Sequence, residues 1–490
     1  MTAGTSRAAR RPQTPVALPP IFGYIRPRPR WRELALLGLV ALTLTVGAIS
    51  LGATLVARTG QRGQAIPEGA FAPYGAALLG IYLAALLAAH VAQVLAGRRT
   101  DEVLLPAVGL LGGVSLLLME RLPQSLAGQL GGLAQTQLVW LLIAIALTTT
   151  LAIAVRSDSW LRLYKYTWAA TGVGLLLLTF VFGTDVNGAR LTLDLGPVSG
   201  QPSELLKVIL VVFLAGYLSE NRTLLVEQST RIGLLRLPPV PYLAPMVAMW
   251  ALALAIVVVQ RDLGAALLFF AVFLVLLYVA TARWSYVALG LVLFVAGSAL
   301  MYRLFGHVQQ RVDVWLDPFA DPQGAGYQVV HALYAFARGG ILGTGLGNGL
   351  PTVAGGQPGG IPEIHTDFPF AALGEELGLI GILAILGLYL VVVERGLRIA
   401  ASAADDFRAL LAAGLSLVVG VQAFIIAAGN LKLIPLTGIT LPFVSYGGSS
   451  LFANAVVVGL LLALSDRGVE PPPPKPRRRR LARLLDRGSP

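Results

Sequence analysis

Long apolar runs separated by short polar connections dominate the pattern of this chain. Twelve runs can be traced, at 34–56, 73–96, 103–120, 138–155, 163–182, 203–219, 242–259, 263–280, 284–301, 368–393, 409–429 and 451–465. Most are close to the length that a helix needs to cross a hydrocarbon core of about 30 Å. They are continuous, without the alternation of barrel strands. The pattern therefore predicts an all-α, polytopic membrane protein.

Composition supports this class. The 490 residues are 56% hydrophobic and 13% charged, and the mean hydropathy is +0.74. A soluble protein would have to bury nearly all of this apolar material, whereas lipid accepts it. The chain contains no cysteine, which excludes disulfides, thiolate zinc sites and cysteine nucleophiles. The first run follows a long Arg/Pro-rich segment and has no clear cleavage site, unlike a signal peptide.

The distribution of lysine and arginine predicts the orientation. With the N-terminus inside, 27 of the 37 basic residues fall on the cytoplasmic side, nine lie outside and Lys207 lies within a span. Cytoplasmic loops of membrane proteins carry the excess of basic residues. We therefore expect a multi-pass protein of the cytoplasmic membrane with both termini in the cytoplasm.

Two terminal segments, 1–31 and 467–490, are rich in Arg and Pro and hold much of the net charge of +12. They are expected to be disordered cytoplasmic tails. One interpretation is attraction to anionic membrane lipids, worth about 1 kcal/mol per basic residue near the surface. The other is a charge cluster that only fixes topology, and the two remain open. Nucleic acid is not expected to bind tails tethered so close to a bilayer.

The connection 302–366, before the tenth run, is long, rich in Gly, Pro and ionisable residues, and external in the predicted topology. Loops of this length are usually functional or disordered. Its stretch "GYQVVHALYAFARGGILG" at 326–343 is apolar and aromatic enough to pack on the membrane surface. We expect an ordered external loop.

Ionisable residues gather at the predicted external face. Charges that border spans are costly to desolvate and usually face a cavity or a partner. Several on one leaflet predict an outward-facing polar cleft, and the middle of the spans holds nothing comparable. The group comprises Arg190, Asp194, Glu204, Lys207, Arg261, Asp262, Arg311, Asp313, Asp317, Glu363, His365, Asp367, Glu375 and Glu376.

Each of these residues also has a structural interpretation. Asp262 begins a predicted helix, where a carboxylate caps free N–H groups. Glu204 and Lys207 are one turn apart and can neutralise each other. His365 and Asp367 can cap the next span, and their spacing is too short for a metal site by itself. From the pattern alone, these alternatives stay open.

Several catalytic motifs are absent or out of context. The chain has neither a Walker motif nor H-E-x-x-H, which excludes nucleotide-driven pumping and zinc proteolysis. "GTGLGNG" at 343–349 follows no predicted strand, so a flexible turn is expected rather than a phosphate-binding loop. "SYGGSS" at 445–450 does not match a nucleophile elbow.

Five segments, read in order, resemble the signature segments of the SEDS proteins, the FtsW, RodA and SpoVE group. They are "GARLTLDLGPVSGQPSELLKVILVVFLA", "QRDLGAALLF", "WLDPFADPQGAGYQ", "IPEIHTDFPFAALGEELGLIG" and "PLTGITLPFVSYGGSSLFAN". The resemblance covers residues 101–466. It implies a ten-helix SEDS-like core there, with the two spans in 32–100 as an N-terminal addition.

The resemblance also implies an activity: a peptidoglycan glycosyltransferase that polymerises lipid II at the outer face of the cytoplasmic membrane. In this inverting reaction a sugar hydroxyl displaces undecaprenyl pyrophosphate from an anomeric carbon. The essential aspartate of the family is placed in the segment "QRDLG", and therefore at Asp262. A carboxylate there would act as general base or as ligand of a divalent cation, Mg²⁺ or Mn²⁺. No nucleotide is expected.

The remaining predicted site residues are assigned by chemistry. Arg190 and Lys207 are candidates for the pyrophosphate, where cations stabilise developing negative charge. The residues expected to shape the cleft or hold the acceptor sugar are Glu204, Glu363, His365, Asp367 and Glu376. The resemblance also implies a partner, a class B penicillin-binding protein that crosslinks the new strands.

The sequence departs from the family pattern at two places. Arg261 stands where the family often has proline, and we expect it to lower the pKa of Asp262, favouring a metal or substrate-charge role over base catalysis. The segment Gly188-Ala189-Arg190-Leu191-Thr192 lacks the aromatic residue of many members, which leaves the role of Arg190 open.

Two other functions compete. A flippase or transporter for a lipid-linked precursor would show inverted repeats and polar groups at mid-membrane, and transport assays would identify it. A non-catalytic scaffold of the division or elongation machinery would tolerate removal of the charge at Asp262.

Overall fold

The computed structural model describes residues 27–61, 75–122, 132–186, 189–194, 199–227, 230–232, 235–237, 262–349 and 360–466, with isolated positions between 247 and 258. The predicted tail 467–490, most of the predicted tail 1–31 and most of the predicted span 242–259 lie outside these residues. The other eleven predicted spans each coincide with a helix that is long and apolar enough to cross a membrane. The prediction of an all-α polytopic protein is confirmed.

The described part of the chain contains fourteen α-helices. They are α1 (Trp31–Gln61), α2 (Ala76–Leu95), α3 (Leu104–Arg121), α4 (Leu133–Ala154), α5 (Ser159–Leu163), α6 (Lys165–Phe182), α7 (Pro202–Glu227), α8 (Leu263–Thr281), α9 (Trp284–Leu304), α10 (Gly306–Leu316), α11 (Tyr327–Gly339), α12 (Pro369–Ala401), α13 (Asp406–Asn430) and α14 (Gly448–Ser465). Five short strands, β1 to β5, accompany them at 184–186, 189–194, 199–200, 230–232 and 235–237.

The strands form two small antiparallel sheets, in the orders β1-β2-β3 and β4-β5. The apolar-run pattern did not predict them. They connect α6 to α7 and follow α7, in segments too short for a periodicity to stand out.

Five helices form the interior of the bundle, and the others surround it. At least two thirds of the most apolar stretch is buried in each of α3, α7, α8, α13 and α14, against 6% in α9. Helix α13 packs against α7, α8, α12 and α14, while α14 also packs along α4. The exposed faces of the outer helices are apolar, as expected of surfaces that meet lipid tails.

A buried ionic cluster holds the two N-terminal helices on the rest of the protein. The Glu33 carboxylate pairs with Arg30 and lies 2.7 Å from His90 Nδ1. Arg30 also donates to the carbonyls of Thr100, at 3.2 Å, and Asp101, at 2.9 Å. Because a buried carboxylate without partners would be strongly unfavourable, this cluster fixes how α1 and α2 meet the start of α3.

The predicted external loop 302–366 is ordered over its described part and contains two helices, α10 and α11, separated by a 3₁₀ turn at Pro318–Ala320. The apolar face of α11 packs on α12. Residues 350–359 lie outside the described part.

Helix α12 is interrupted at Gly378, and the segment that follows α11 fills the interruption. Gly378 has φ 66° and ψ −167°. The carbonyls of Glu375 and Glu376 accept from the N–H groups of Thr344 and Gly345, both at 3.0 Å. In return, Leu379 N–H donates to the Gly340 carbonyl at 2.9 Å. The "GTGLGNG" segment is therefore a set of tight turns built into α12.

Replacing Gly343 with alanine is expected to destabilise the protein by about 2–3 kcal/mol, because its φ of +82° is unfavourable for a side chain and an added Cβ would lie 2.2 Å from the Glu376 carbonyl. Thermal unfolding in detergent measures the loss. The matched control is Gly387→Ala on the same helix, where nothing lies within 4 Å of the added Cβ. Equal midpoints for the two variants would contradict the tight insertion.

Candidate active site

Asp262 stands at the N-terminus of α8 as its cap. Its Oδ1 accepts from Ala265 N–H at 2.9 Å, and the residue is 7% exposed. The structural interpretation of Asp262 as a helix cap is therefore confirmed. Capping does not exclude a second role, since the other carboxylate oxygen, Oδ2, is not used by this bond.

Burial raises the pKa of Asp262 above its ordinary value. The Glu204 carboxylate adds to the rise, while Ala265 N–H, the Ser203 hydroxyl and Arg311 oppose it. The expected lowering by Arg261 concerns a residue outside the described part of the chain. Among the groups whose positions are described, desolvation dominates, and the pKa shifts in the direction that improves a general base.

Glu204 and Lys207 lie on the first turns of α7. Lys207 is 2% exposed, and its Nζ donates to Glu204 Oε2 at 2.7 Å, to Gln422 Oε1 at 2.8 Å and to Asn454 Oδ1 at 3.2 Å. An ammonium group has three N–H donors, and here all three are used. The predicted neutralisation of Glu204 by Lys207 is confirmed, and a pyrophosphate could reach this ammonium only by displacing one of its partners.

The segment between α13 and α14 packs against Glu204 and against Gln422, a partner of Lys207. Glu204 Oε1 accepts from the Thr440 hydroxyl at 3.2 Å, and Gln422 Nε2 donates to the Thr440 carbonyl at 2.8 Å. Gly264, in the first turn of α8, lies so close that an added Cβ would be 2.7 Å from the Thr437 carbonyl. The chain around Thr440 therefore joins the N-termini of α7 and α8.

Arg311 reaches the same region from α10, in the connection 302–366. Its Nη1 donates to the carbonyls of Leu436 at 3.3 Å and Thr437 at 3.1 Å. Burial lowers the pKa of Arg311, and the nearby carboxylates of Asp262 and Asp367 raise it. The structure thus brings Arg311 close to Asp262 and Asp367, and Glu204 close to Asp262. Arg311 was predicted to lie at the cleft but was given no role there, because nothing in "QQRVDVW" marks which side of α10 turns inward.

Two recesses open beside these residues. A cavity of about 170 Å³ is lined by Gln310, Arg311, Val314, Trp315, Ala325, Gln328, Val329, Asp367, Gly429, Lys432, Ile434, Leu436 and Gly438. A wider and more open recess of about 540 Å³ adjoins it along α10 and the 3₁₀ turn, with Asp313, Asp317 and Asp321 in its lining. Asp321 was not among the predicted site residues, although it lies in the signature segment at 315–328.

The other predicted site residues are more dispersed. Glu363 is exposed, and its Oε2 accepts from the Thr366 hydroxyl at 3.2 Å. The His365 ring is 5.6 Å from that of Tyr446, and burial lowers the pKa of His365.

Two predicted site residues have no described contact with the group around Asp262. Glu376 pairs with Arg121 at 2.5 Å and accepts from Gly347 N–H at 3.2 Å. Arg190 lies in β2, opposite Asp185, and its side chain is outside the described part. Their roles in substrate binding stay predictions.

Comparison with known proteins identifies the family. Residues 102–468 match the model of the FtsW/RodA/SpoVE cell cycle proteins, which is three quarters of the chain. The chain belongs to this family. The predicted membership of the SEDS group is confirmed, and α1 and α2 precede the matched residues.

Curated relatives in this family carry RodA and FtsW names. The chain is 39% identical over 473 residues to peptidoglycan glycosyltransferase RodA of Mycobacterium tuberculosis, covering 95% of this chain and 96% of the relative. It is 38% identical over 459 residues to the RodA of Mycobacterium leprae, covering 93% and 94%. A probable peptidoglycan glycosyltransferase FtsW of Nitrosococcus halophilus is 41% identical over 297 residues, which is 59% of this chain and 72% of that protein.

Solved structures of the family share the fold. A chain from a peptidoglycan synthase complex that coordinates polymerization and crosslinking superimposes with a TM-score of 0.59 at 26% identity, covering 75% of this chain and 98% of that one. The rod shape determining protein RodA of Thermus thermophilus gives a TM-score of 0.51 at 25% identity, covering 75% and 97%.

The donor set of this SEDS site suits a divalent cation only in part. Within the described ranges, no group of three or more acidic or histidine side chains is placed to hold a metal ion. Asp262 and Glu204 are neighbours, but Glu204 is already paired with Lys207. Mg²⁺ is commonly bound by one or two carboxylates together with substrate phosphates. The residues therefore fit a cation that arrives with a phosphorylated substrate.

Asp367→Asn is expected to increase stability at pH 7 and to flatten its dependence on pH. Burial, reinforced by Glu363 and opposed by Arg311, raises the pKa of Asp367 to about 6. The unfolded chain releases this proton near pH 4, so the wild type loses stability as pH rises from about 4 to 6, by roughly 2–3 kcal/mol. Above pH 6 the loss is complete.

Unfolding midpoints of the wild type and of Asp367→Asn between pH 4 and 8 measure the difference. Asp317→Asn, at an exposed carboxylate, is the control and should follow the wild type. Parallel curves for Asp367→Asn and wild type would contradict the assignment.

Proposed function

We propose that this chain is a peptidoglycan glycosyltransferase that polymerises lipid II into glycan strands. The observation that carries the proposal is the match to mycobacterial RodA, at 39% identity over 95% of this chain and 96% of the relative. A resemblance of that extent includes both the transmembrane bundle and the segments around Asp262. The site adds a buried carboxylate, a nearby guanidinium and adjoining recesses, which are the groups that a glycosyl transfer from a diphosphate requires.

The active site faces the outside of the cytoplasmic membrane in this proposal, and both termini lie in the cytoplasm. Two features support this orientation. The bias of lysine and arginine favours it, and α10 and α11, which border the recesses, belong to the longest connection between spans. Such a position lets a lipid tail stay in the bilayer while its head group reacts at the surface.

Asp262 acts as the general base. Its Oδ1 accepts from Ala265 N–H, and Oδ2 accepts the proton of the acceptor sugar hydroxyl. The hydroxyl oxygen then forms a bond to the anomeric carbon of the donor, and the bond from that carbon to the diphosphate breaks. The diphosphate leaves with the electron pair, and the configuration inverts. The raised pKa of Asp262 makes it a stronger proton acceptor than an ordinary aspartate.

The surrounding residues position this carboxylate and its substrates. Glu204, held by Lys207, keeps a second negative charge beside Asp262. Glu363, His365 and Asp367 border the approach for the acceptor sugar. A divalent cation, Mg²⁺ or Mn²⁺, would be held by Asp262 together with phosphate oxygens and would supply positive charge for the leaving diphosphate.

A class B penicillin-binding protein crosslinks the strands that this chain makes. Support comes from the similarity to a chain of a peptidoglycan synthase complex that couples polymerization with crosslinking. The exposed apolar face of α9, of which little is buried within the protein, leaves room for another membrane helix. The basic tails add an attraction to anionic lipids.

The test is polymerisation of lipid II by the purified full-length chain in proteoliposomes, with and without the partner transpeptidase and with and without EDTA. Glycan strands longer than the substrate, resolved by gel electrophoresis, are the expected result. Lipid II presented on one leaflet distinguishes the alternatives. Movement of lipid II to the other leaflet without polymer would identify a flippase. If lipid II neither moves nor polymerises with the partner present, the scaffold function is supported.

A further inference from the structure

Two cationic side chains face the 170 Å³ cavity without a direct ion pair. Arg311 and Lys432 both line it. Within the described part of the chain, neither lies within ion-pair distance of a carboxylate, in contrast to Lys207, Arg121 and Arg338, which are each paired. Arg311 Nη1 donates to two main-chain carbonyls, and Lys432 Nζ donates to the Leu316 carbonyl at 3.3 Å. Both cations therefore keep donors for a ligand.

Desolvation makes this arrangement costly without an anion. Burial lowers the pKa of Arg311, because the nearby carboxylates do not fully offset the cost of removing the guanidinium charge from water. A guanidinium in such a place is stabilised by a bound anion, and its planar set of donors matches phosphate oxygens in a two-pronged geometry. Gln310 and Gln328 line the same cavity, and a glutamine side-chain amide can donate further hydrogen bonds to an anion.

Lys432 is held in an unfavourable backbone conformation at the rim of this cavity. Its φ is +59°, a left-handed conformation in which glycine or asparagine is usual. The conformation is imposed by its surroundings, because Lys432 N–H bonds to the Gly429 carbonyl at 3.1 Å and Trp315 Nε1 donates to the Lys432 carbonyl at 3.1 Å. Strain of this kind in a non-glycine residue concentrates at ligand sites.

The geometry points to this cavity as the binding site for the diphosphate of the lipid-linked donor, with Arg311 and Lys432 as its ligands. This inference rests on the proposed function and deepens it. It moves the leaving-group site from Lys207, whose three donors are used within the bundle, to a pair of cations at the external loop. Arg311 also contacts the segment that abuts the first turn of α8, so the diphosphate would lie beside the carboxylate of Asp262.

Because Asp367 also lines the cavity, a bound diphosphate needs both cations. A dianionic ligand beside an ionised carboxylate would be repelled, and Arg311, which interacts electrostatically with Asp367, supplies compensating positive charge. Loss of either Arg311 or Lys432 should therefore reduce binding by tenfold or more, and loss of both by about a hundredfold if their effects add.

The experiment measures binding separately from catalysis. The full-length protein in detergent is titrated with undecaprenyl diphosphate and, in a second arm, with inorganic pyrophosphate, and binding is followed by thermal shift and by microscale thermophoresis. The variants are Arg311→Gln, Lys432→Gln and the double variant, with Arg311→Lys and Lys432→Arg as charge-retaining partners. The control is Arg398→Gln, which removes the same charge from an exposed position on α12.

We expect tenfold weaker binding for each charge-removing variant, partial retention in the charge-retaining ones and no change for Arg398→Gln. Tighter binding of undecaprenyl diphosphate than of inorganic pyrophosphate would identify the ligand as the diphosphate of a lipid. Equal affinities for the two would overturn the assignment to a lipid-linked ligand. Unchanged affinity in the double variant would overturn the site. If Arg311→Gln does not fold, Lys432→Gln at the rim decides the outcome alone.

These results are distinct from those of the polymerisation assay. Wild-type protein that binds undecaprenyl diphosphate through Arg311 and Lys432 but makes no glycan would retain this site and remove the proposed function. Normal polymerisation with unaltered donor KM in both charge-removing variants would retain the function and remove this site.

Discussion

Asp262→Asn is expected to fold like the wild type and to polymerise lipid II about 10²–10⁴-fold more slowly. Asparagine caps a helix as well as aspartate, so the bond to Ala265 N–H survives. The amide cannot accept the proton of the sugar hydroxyl, and the loss of general-base catalysis has about this magnitude. Initial rates of polymerisation measure the effect, and the unfolding midpoint shows that the fold is kept.

The chain offers a matched control for this substitution. Asp405 caps α13 in the same way, accepting from Arg408 N–H at 3.0 Å. It lies at the N-terminus of α13, whereas the segment with Thr440 follows the C-terminus of that helix. Asp405→Asn should retain the wild-type rate. If Asp262→Asn polymerises normally, Asp262 is only a cap. The Asn variant of Asp321, in the wider recess, then becomes the decisive measurement.

Lys207→Met is expected to lower the free energy of unfolding by about 3–5 kcal/mol, because it removes a buried ammonium and leaves the Glu204 carboxylate, 11% exposed, without its cation. It also removes the donor on which Gln422 Oε1 and Asn454 Oδ1 depend. Thermal and urea unfolding in detergent measure the loss. A fall in activity should accompany it, since Glu204 adjoins Asp262.

Two variants separate charge burial from loss of bulk. Lys165→Met breaks an ion pair with Glu220, whose side chain is 38% exposed, and should cost about 1 kcal/mol or less. The double variant Glu204→Gln/Lys207→Met removes the orphaned charge and should regain part of the loss. A Lys207→Met protein as stable as Lys165→Met would contradict the buried, fully used ammonium described here.

The family and the bundle could be predicted from the sequence because their signals are local. An apolar run of membrane-spanning length must satisfy its own backbone hydrogen bonds, and only a helix does so. Eleven spans could therefore be placed without knowledge of their neighbours. The cap at Asp262 and the pairing of Glu204 with Lys207 were foreseen for the same reason, since both depend on spacing along one helix.

Contacts between distant segments could not be predicted in this way. Nothing near Lys207 in the sequence indicates that Gln422 and Asn454 take its other donors, and nothing near Gly378 indicates that residues 340–345 replace the broken helical bonds. The pKa of Asp262 is the clearest case. From the sequence, Arg261 was expected to lower it, whereas burial in the assembled bundle raises it and is the largest effect among the groups that the structure describes.

By itself, then, the sequence determined that this is a helical membrane protein of the SEDS family with an ionisable cluster between particular spans. Only the tertiary structure decided which of those charged side chains form ion pairs with one another and which face a cavity. Lys207 and Glu376 proved to be paired inside the protein, while Arg311 and Lys432 keep donors for a ligand. The physical reason is that secondary structure follows from local hydrogen bonding and hydrophobicity, whereas the partner of a charge depends on which helices meet.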